Sequence, residues 1–408
     1  MNSKHEHPDR DYIVLFENYE PVNIDLGVSA FANLPAYFLQ ETPQPSIAFI
    51  FGNSSAIQNG SYNEMSLMIL RNNLSSYMIG GVSSEPTIEE IRRIVKTLEQ
   101  DQPDEVVAIG GGSVMDAAKA AWLSYQTKTD VTELFGANVI SKRFPTKQFK
   151  RIIAVPTTAG TGSEVTQYSN ISDPDSNLKY VISEEQIIPK MALINPDYCL
   201  SMSKELTVST ALDALTHLIE ALLNTTSPSV EKCNDDWILR AISMILKSLP
   251  DAINEPHNSL TRERLSVAAT IGGMAIASRP TGLPHLASYS FYRKLPHGLS
   301  VALLLPPFWR FYLQNPTVVN QTLKLAKILP SCKNTENPEE IISTIENFIY
   351  TASGINGLKA LPFYNQDMIK QIATDATKNP IKLKSAPHAI QIETATQTIS
   401  EILRNTLP

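Results

Sequence analysis

The chain has 408 residues, long for a single hydrophobic core, so two domains are expected. With 43% hydrophobic and 18% charged residues it reads as an ordinary globular enzyme, and its net charge of −7 is spread without an acidic or basic tail, leaving no footprint for nucleic acid or anionic lipid. The start MNSKHEHPDRDYIV has no apolar signal core, no apolar run is long enough to span a bilayer, and the three cysteines (Cys199, Cys233, Cys332) form no C-x-x-C. A cytoplasmic protein with buried thiols is expected, with no nucleic-acid or membrane partner.

In chain order, SIAFIF (46–51), DEVVAIGGG (104–112) and RIIAVPTT (151–158) read as buried parallel strands ending in Gly or Pro/Thr turns. EEIRRIVKTLEQD (89–101) and SVMDAAKAAWLSY (113–125) read as amphipathic helices between them, and the alternation implies a doubly wound, Rossmann-like α/β sheet. From about residue 200 the texture becomes helical. SKELTVSTALDALTHLIEALL, NDDWILRAISMILKSLPDAI, RERLSVAATIGGMAIAS, NPTVVNQTLKLAKIL and PEEIISTIENFIYTAS all carry helical apolar periodicity. The division falls near INPDYCLSMSK (194–204), giving an α/β domain over 1–200 and an all-α domain over 201–408.

VVAIGGGSVMDAAKAA (106–121) runs an apolar strand into Gly110, Gly111, Gly112 and Ser113 and then at once into a helix. Glycines let the backbone approach a charged group, and the exposed N–H groups of a helix start favour an anion such as a pyrophosphate. The same residues also serve a plain strand-to-helix turn. Neither the G-x-G-x-x-G nor the Gly-Lys-Ser/Thr pattern is present. PTTAGTGSEVTQYS (156–169) places Thr157, Thr158, Thr161 and Ser163 beside two glycines at another strand end, so the two loops are expected to face one crevice at the carboxyl edge of the sheet.

In STALDALTHLIEALL (209–223), Asp213 and His217 are four apart and share one helix face. The apolar neighbours predict burial, where an unpaired carboxylate is costly, so both residues need partners. His285 and His297, in GLPHLASYSFYRKLPHGLS (282–300), can supply them. One carboxylate and three imidazoles suit Fe²⁺ or Zn²⁺ and leave a position for a substrate oxygen. The remaining histidines (His5, His7, His257, His388) lie in polar or terminal contexts.

Taken in order, GGGSVMDAAKAA, PTTAGTGSE, DALTHLIEA, PHGLSVALLLP and the later KNPIK (378–382) resemble the iron-containing (group III) alcohol dehydrogenases. The resemblance implies a nicotinamide-binding α/β domain, a helical domain holding a divalent metal through Asp213, His217, His285 and His297, and a small alcohol or aldehyde substrate. It also implies that Gly111, Gly112 and Ser113 contact the pyrophosphate. Thr157, Thr158 and Thr161 would line the adenosine or ribose side, and Asp116 and Lys119 would approach the nicotinamide and the cleft.

Three departures from the family pattern bear on specificity. NAD-preferring members usually carry an acidic residue after the first strand, where this chain has Gly52, Asn53 and Ser54, so NADP is expected ahead of NAD. Many members have a proton-relay histidine four residues after the one matching His285; here Tyr289 stands in its place. The lead Ser278, Arg279, Thr281 is similar to the subset that reduces phosphonoacetaldehyde or related anionic carbonyls, with Arg279 or Arg293 available to meet the anion. The expected chemistry is reversible hydride transfer, run as a reductase, with a homodimer as the commonest prior for assembly. The competing readings are a dehydroquinate-synthase-like lyase, which typically replaces one ligand histidine with glutamate, and an inactive metal- or nucleotide-binding relative.

Overall fold

A computed structural model of the chain describes residues 11–40, 43–176, 178–227 and 233–407. His5, His7 and most of the polar start lie outside the described residues, as do the side chains of Pro380 and Ile381 in the KNPIK block. The chain divides into two compact units. The first runs to Thr157 and includes Gln167–Ile171 and Val181–Cys199; the second comprises Thr158–Thr166, Ser172–Tyr180 and the chain from Leu200 onward.

Nine strands are present among the described residues: β1 (Asn23–Leu26), β2 (Ile47–Gly52), β3 (Ser76–Val82), β4 (Glu105–Gly110), β5 (Gly136–Ala137), β6 (Ile153–Pro156), β7 (Tyr168–Asp173), β8 (Leu178–Ser183) and β9 (Met191–Ile194). Six form a parallel sheet in the order β1-β9-β6-β4-β2-β3. The alternation of side chains sorts its core onto two faces. Ala48, Ile50, Val106 and Ala108 pack on one side with helix Gly112–Thr127, while Ile47, Phe49, Val107 and Ile109 pack on the other with Phe31, Phe38 and Met65. All eight strand residues are essentially inaccessible to solvent, each contributing about 1.5–3 kcal/mol if large and aliphatic or aromatic, so the central strands are fixed from both sides.

The sheet's order places a topological switch point at β2 and β4. The chain leaves β2 outward to β3 and returns to β4 on the opposite side. Ligands of open α/β sheets bind outside the carboxyl ends of the strands at such a point. The loop leaving β3 is pinned by the helix that follows it (Ile88–Asp101). Thr87 caps that helix by accepting from Glu90 N at 3.2 Å, and the Glu90 carboxylate accepts from Thr87 N and Ser83 N at 2.9 Å each.

The second unit is built around helix Lys204–Leu223, which packs against helices Asp235–Asn254, Ser259–Ser278 and His297–Tyr312. Ser203 caps its start, accepting from Leu206 N at 3.2 Å. By length and hydropathy this helix could cross a bilayer, yet 89% of its apolar window is buried inside the fold, as expected of a core helix. Thr207, Thr210, Asp213 and His217 break its apolar run, which is why the sequence shows no continuous span.

Two glycine contacts hold the unit's segments unusually close. A Cβ on Gly162 would lie 2.5 Å from Gly273 Cα, which seats the Thr158–Thr166 loop on helix Ser259–Ser278. A Cβ on Gly298 would lie 1.8 Å from the Ser209 carbonyl oxygen, so the first turn of helix His297–Tyr312 rests directly on the backbone of helix Lys204–Leu223.

Candidate metal and cofactor site

Asp213 and His217 lie one turn apart on helix Lys204–Leu223, both buried. His285 comes from the short helix Leu283–Ser288, and His297 is the first residue of helix His297–Tyr312, after Pro296 has set the entry. The three imidazoles converge on one oxygen. Asp213 Oδ1 lies 3.7 Å from His217 Nε2, 3.6 Å from His285 Nε2 and 3.7 Å from His297 Nε2. Ligand atoms of Asp213, His285 and His297 all lie within 4.8 Å of one another, and the His217 ring stacks on that of His285 with centroids 4.7 Å apart.

The distances are too long for hydrogen bonds, and Asp213 Oδ1 and His285 Nε2 are buried with no hydrogen-bond partner. Such groups are costly to leave bare in an apolar interior. One carboxylate and three imidazole nitrogens facing a common point are a donor set that fits Fe²⁺ or Zn²⁺. The residues present therefore fit a divalent ion.

A surrounding layer orients the rings. Glu220, two turns beyond Asp213 on the same helix and 3% exposed, joins His285 Nδ1 through Oε2 and accepts from Gly282 N at 2.7 Å through Oε1. Nδ1–H donating to a carboxylate leaves the Nε2 lone pair facing the cluster. Ser288 Oγ donates to the His285 carbonyl at 2.7 Å and lies 3.4 Å from His297 Nδ1, so its lone pair suits Nδ1–H and leaves His297 Nε2 free as well. Glu220 and Tyr312, whose hydroxyl accepts from Leu283 N at 2.9 Å, were not among the residues singled out from sequence. For Glu220 a signal existed: positions 213, 217 and 220 repeat at i, i+4, i+7, the spacing of one helix face.

The electrostatics of His217 and His297 agree with a ligand set. Burial pushes His217 down to about 4, against the pull of Asp213, and burial with repulsion from His285 likewise lowers His297, keeping both rings neutral with lone pairs to offer. Burial would raise Asp213, but His217 and His297 hold it well below the usual carboxylate range. Burial opposes charge on His285 too, and the Glu220 carboxylate outweighs it, lifting His285 above its ordinary value.

In the first unit the sheet brings three of the expected cofactor segments side by side. The order β6-β4-β2-β3 sets Thr157, the Gly110–Ser113 turn, the Gly52–Ser54 turn and the Ser83–Glu85 loop along one carboxyl edge. Thr157 N donates to Gly110 O at 3.0 Å, and Ser113 Oγ donates to Ser84 O. Gly111 is extended and no side chain caps the helix it opens, so the first-turn N–H groups of Gly112–Thr127 remain available to an anion. Gly110 is required where it stands, since a Cβ would meet Val114 Cγ2 at 2.4 Å. Thr158 and Thr161 belong to the other unit, in the loop seated on helix Ser259–Ser278, where Thr161 Oγ1 accepts from Ser163 N at 3.2 Å.

The residues expected to act beside the nicotinamide have other engagements. The Asp116 carboxylate accepts from Asn170 N at 2.9 Å, and Lys119 Nζ donates to Tyr168 O at 3.0 Å, so both side chains tie the glycine-turn helix to β7. Tyr289 is half-buried under Lys382, whose Nζ lies 5.5 Å from the ring centre and donates to Thr281 Oγ1 at 3.0 Å. Arg279 departs from expectation. It is 3% exposed and bonds Asp235 Oδ1 at 2.8 Å, with Lys324 on the second oxygen at 2.6 Å, so its charge is committed inside the fold. Arg293 is exposed and stacks on Tyr292.

This combination of a parallel sheet flanked by helices and a mainly helical second unit is found in solved dehydrogenases. An alcohol dehydrogenase from Oenococcus oeni has a TM-score of 0.84 over 95% of this chain and 98% of its own, at 22% identity, a likeness of fold. The profile of iron-containing alcohol dehydrogenase matches residues 21–196, and that of the C-terminal part of the Fe-containing alcohol dehydrogenase family matches residues 207–406. A 1-propanol dehydrogenase of Salmonella typhimurium is 33% identical over 65% of this chain and 66% of its own length. An NADPH-dependent butanol dehydrogenase of Clostridium saccharobutylicum is 30% identical over 67% of this chain and 68% of its own. The chain belongs to the iron-containing alcohol dehydrogenase family, oxidoreductases that bind a divalent metal and a nicotinamide cofactor. The lyase alternative is not favoured.

Proposed function

We propose that the protein interconverts a small alcohol and its aldehyde by hydride transfer, as a reductase using NADPH, with a divalent metal held by Asp213, His217, His285 and His297. The observation that carries this reading is the convergence of three imidazole Nε2 atoms on the bare, buried Asp213 Oδ1 at 3.6–3.7 Å. A bound divalent ion supplies Lewis-acid polarisation of the substrate oxygen at neutral pH.

The chain's own residues do the rest. Asp213 sets a negative charge among the three imidazoles, and Glu220 and Ser288 hold two of them in the tautomer that offers Nε2. The open helix start at Gly111, Gly112 and Ser113 receives the pyrophosphate, with Thr157 beside it. Asp116 and Lys119 serve as positioning residues that hold the glycine-turn helix against β7. Tyr289 Oη gives the proton to the substrate oxygen as the alcohol forms. An anionic, phosphonate-type aldehyde would be met by the exposed Arg293, since Arg279 is buried against Asp235.

Glu220→Gln keeps the size of the side chain and removes the charge that orients His285. Metal affinity measured by competition with a chelator is expected to fall about 10- to 100-fold, with the helical content intact. An unchanged affinity would contradict the orienting role.

The NADPH preference rests on Gly52, Asn53 and Ser54, which offer no carboxylate against a 2′-phosphate. Titration of the full chain with NADPH and NADH is expected to give the tighter binding to NADPH. Asn53→Asp is expected to reverse the order by repelling the phosphate and accepting from a free 2′-hydroxyl. A wild-type preference for NADH would overturn the cofactor reading. Turnover over a panel of neutral aldehydes and phosphonate-bearing aldehydes tests the substrate class, and activity on neutral aldehydes alone would remove the anionic branch.

A further inference from the structure

We propose that Arg93 is a second specificity determinant for the nicotinamide cofactor, the cation that reads the 2′-phosphate of NADPH. The inference rests on the NADPH reading above and adds a residue outside every motif recognised in the sequence. It comes from what the sheet order brings beside the Gly52–Ser54 turn. β3 is the neighbour of β2, with Gly52 opposite Val82, so the Gly80–Gly81 backbone runs alongside that turn.

A Cβ built on Gly81 would lie 3.7 Å from Asn53 Oδ1 and 3.8 Å from Arg93 Nη2, so the amide and the guanidinium flank the same backbone point. Gly81 has φ +84°, a conformation that favours glycine, and the missing side chain keeps the space between the two groups open. Arg93 Nη2 donates to Gly80 O at 3.1 Å, which fixes the guanidinium at this end of β3. One hydrogen bond leaves most of its five N–H donors unspent.

The contrast with its neighbour is informative. Arg92 is committed to Asp130 at 2.8 Å and Glu89 at 3.7 Å, on another side of helix Ile88–Asp101. Arg93 has no carboxylate partner among the described residues, and the Asn53 side chain has no hydrogen-bond partner among them either. An arginine with an open fork, an unpaired amide and no acidic residue from Gly52 to Ser55 make a site for a phosphomonoester at the switch point of the sheet, where the adenosine ribose of a dinucleotide lies. As a mere surface cap on Gly80, Arg93 would treat phosphorylated and unphosphorylated ligands alike.

The test is ligand binding to the full chain by fluorescence titration, with NADPH, NADH, 2′,5′-ADP and 5′-ADP as probes, on the wild type, Arg93→Gln and Arg93→Lys. Arg93→Gln is expected to weaken NADPH and 2′,5′-ADP by about 10- to 100-fold, the loss of charge-assisted hydrogen bonds, while NADH and 5′-ADP stay within about two-fold. Arg93→Lys keeps the charge and is expected to recover part of the NADPH affinity, and it carries the test if the glutamine variant does not fold. Equal weakening of phosphorylated and unphosphorylated ligands, or no weakening of either, overturns the inference. If the wild type itself binds NADH more tightly, the NADPH reading has failed; if it prefers NADPH and Arg93→Gln preserves that preference, only the role of Arg93 has failed.

Discussion

His285→Ala is expected to leave the purified protein with less than about a tenth of the wild-type metal and to lower turnover by about 10³-fold or more, some 4 kcal/mol of transition-state stabilisation. Two losses combine. The variant removes one of the three nitrogens facing Asp213 Oδ1, and it strips Glu220, 3% exposed, of its imidazole partner. An uncompensated buried carboxylate costs about 3–5 kcal/mol, so the variant should also melt earlier. Elemental analysis and nicotinamide absorbance on the same preparation separate the effects. His217→Ala and His297→Ala leave Glu220 paired and are expected to lose metal with a smaller change in melting temperature. Full metal occupancy in any of the three would remove that residue from the ligand set.

Gly298→Ala adds one methyl group and is expected to be among the most destabilising single changes in the helical unit, by more than about 3 kcal/mol. Its Cβ would lie 1.8 Å from the Ser209 carbonyl oxygen and 3.0 Å from Asp213 Cβ. Backbone cannot yield as a flexible side chain does, so the helix that begins at His297 must lift off the helix that carries Asp213. Metal binding should fall with stability, because the displaced turn holds a ligand. Gly272→Ala is the control. Its Cβ would meet nothing closer than 3.6 Å, and mid-helix alanine gains up to about 1 kcal/mol over glycine. Chemical denaturation of both variants is expected to give opposite signs; a Gly298→Ala protein as stable as the wild type would contradict the backbone contact.

The legible parts of this fold were those governed by local pattern. β2, β4 and β6 appeared as short apolar runs ending in Gly or Pro/Thr, and the helices of the second half appeared through their periodicity. β3 was not read, because SYMIGGV carries two glycines and lies at the sheet's edge, where burial is incomplete. β1 and β9, four residues each, are too short to show a period. At the site, the shared helix face of Asp213 and His217 was legible from their spacing, while the approach of His285 and His297 to the same carboxylate is set by tertiary packing. Arg279 was misjudged because its partner, Asp235, lies 44 positions away, and nothing local marks a buried ion pair. The hydrogen bonds of Asp116 and Lys119 were likewise not legible. Their partners on β7 are fixed by tertiary packing that the sequence around them does not encode.

The most direct test of the metal assignment is anomalous diffraction from crystals of the wild-type chain loaded with Fe²⁺ or Zn²⁺. One anomalous peak is expected, at bonding distance (about 2.0–2.2 Å) from an Asp213 carboxylate oxygen and from Nε2 of His217, His285 and His297. A peak bound elsewhere, or a loaded and active crystal with no ion among these four residues, would contradict it.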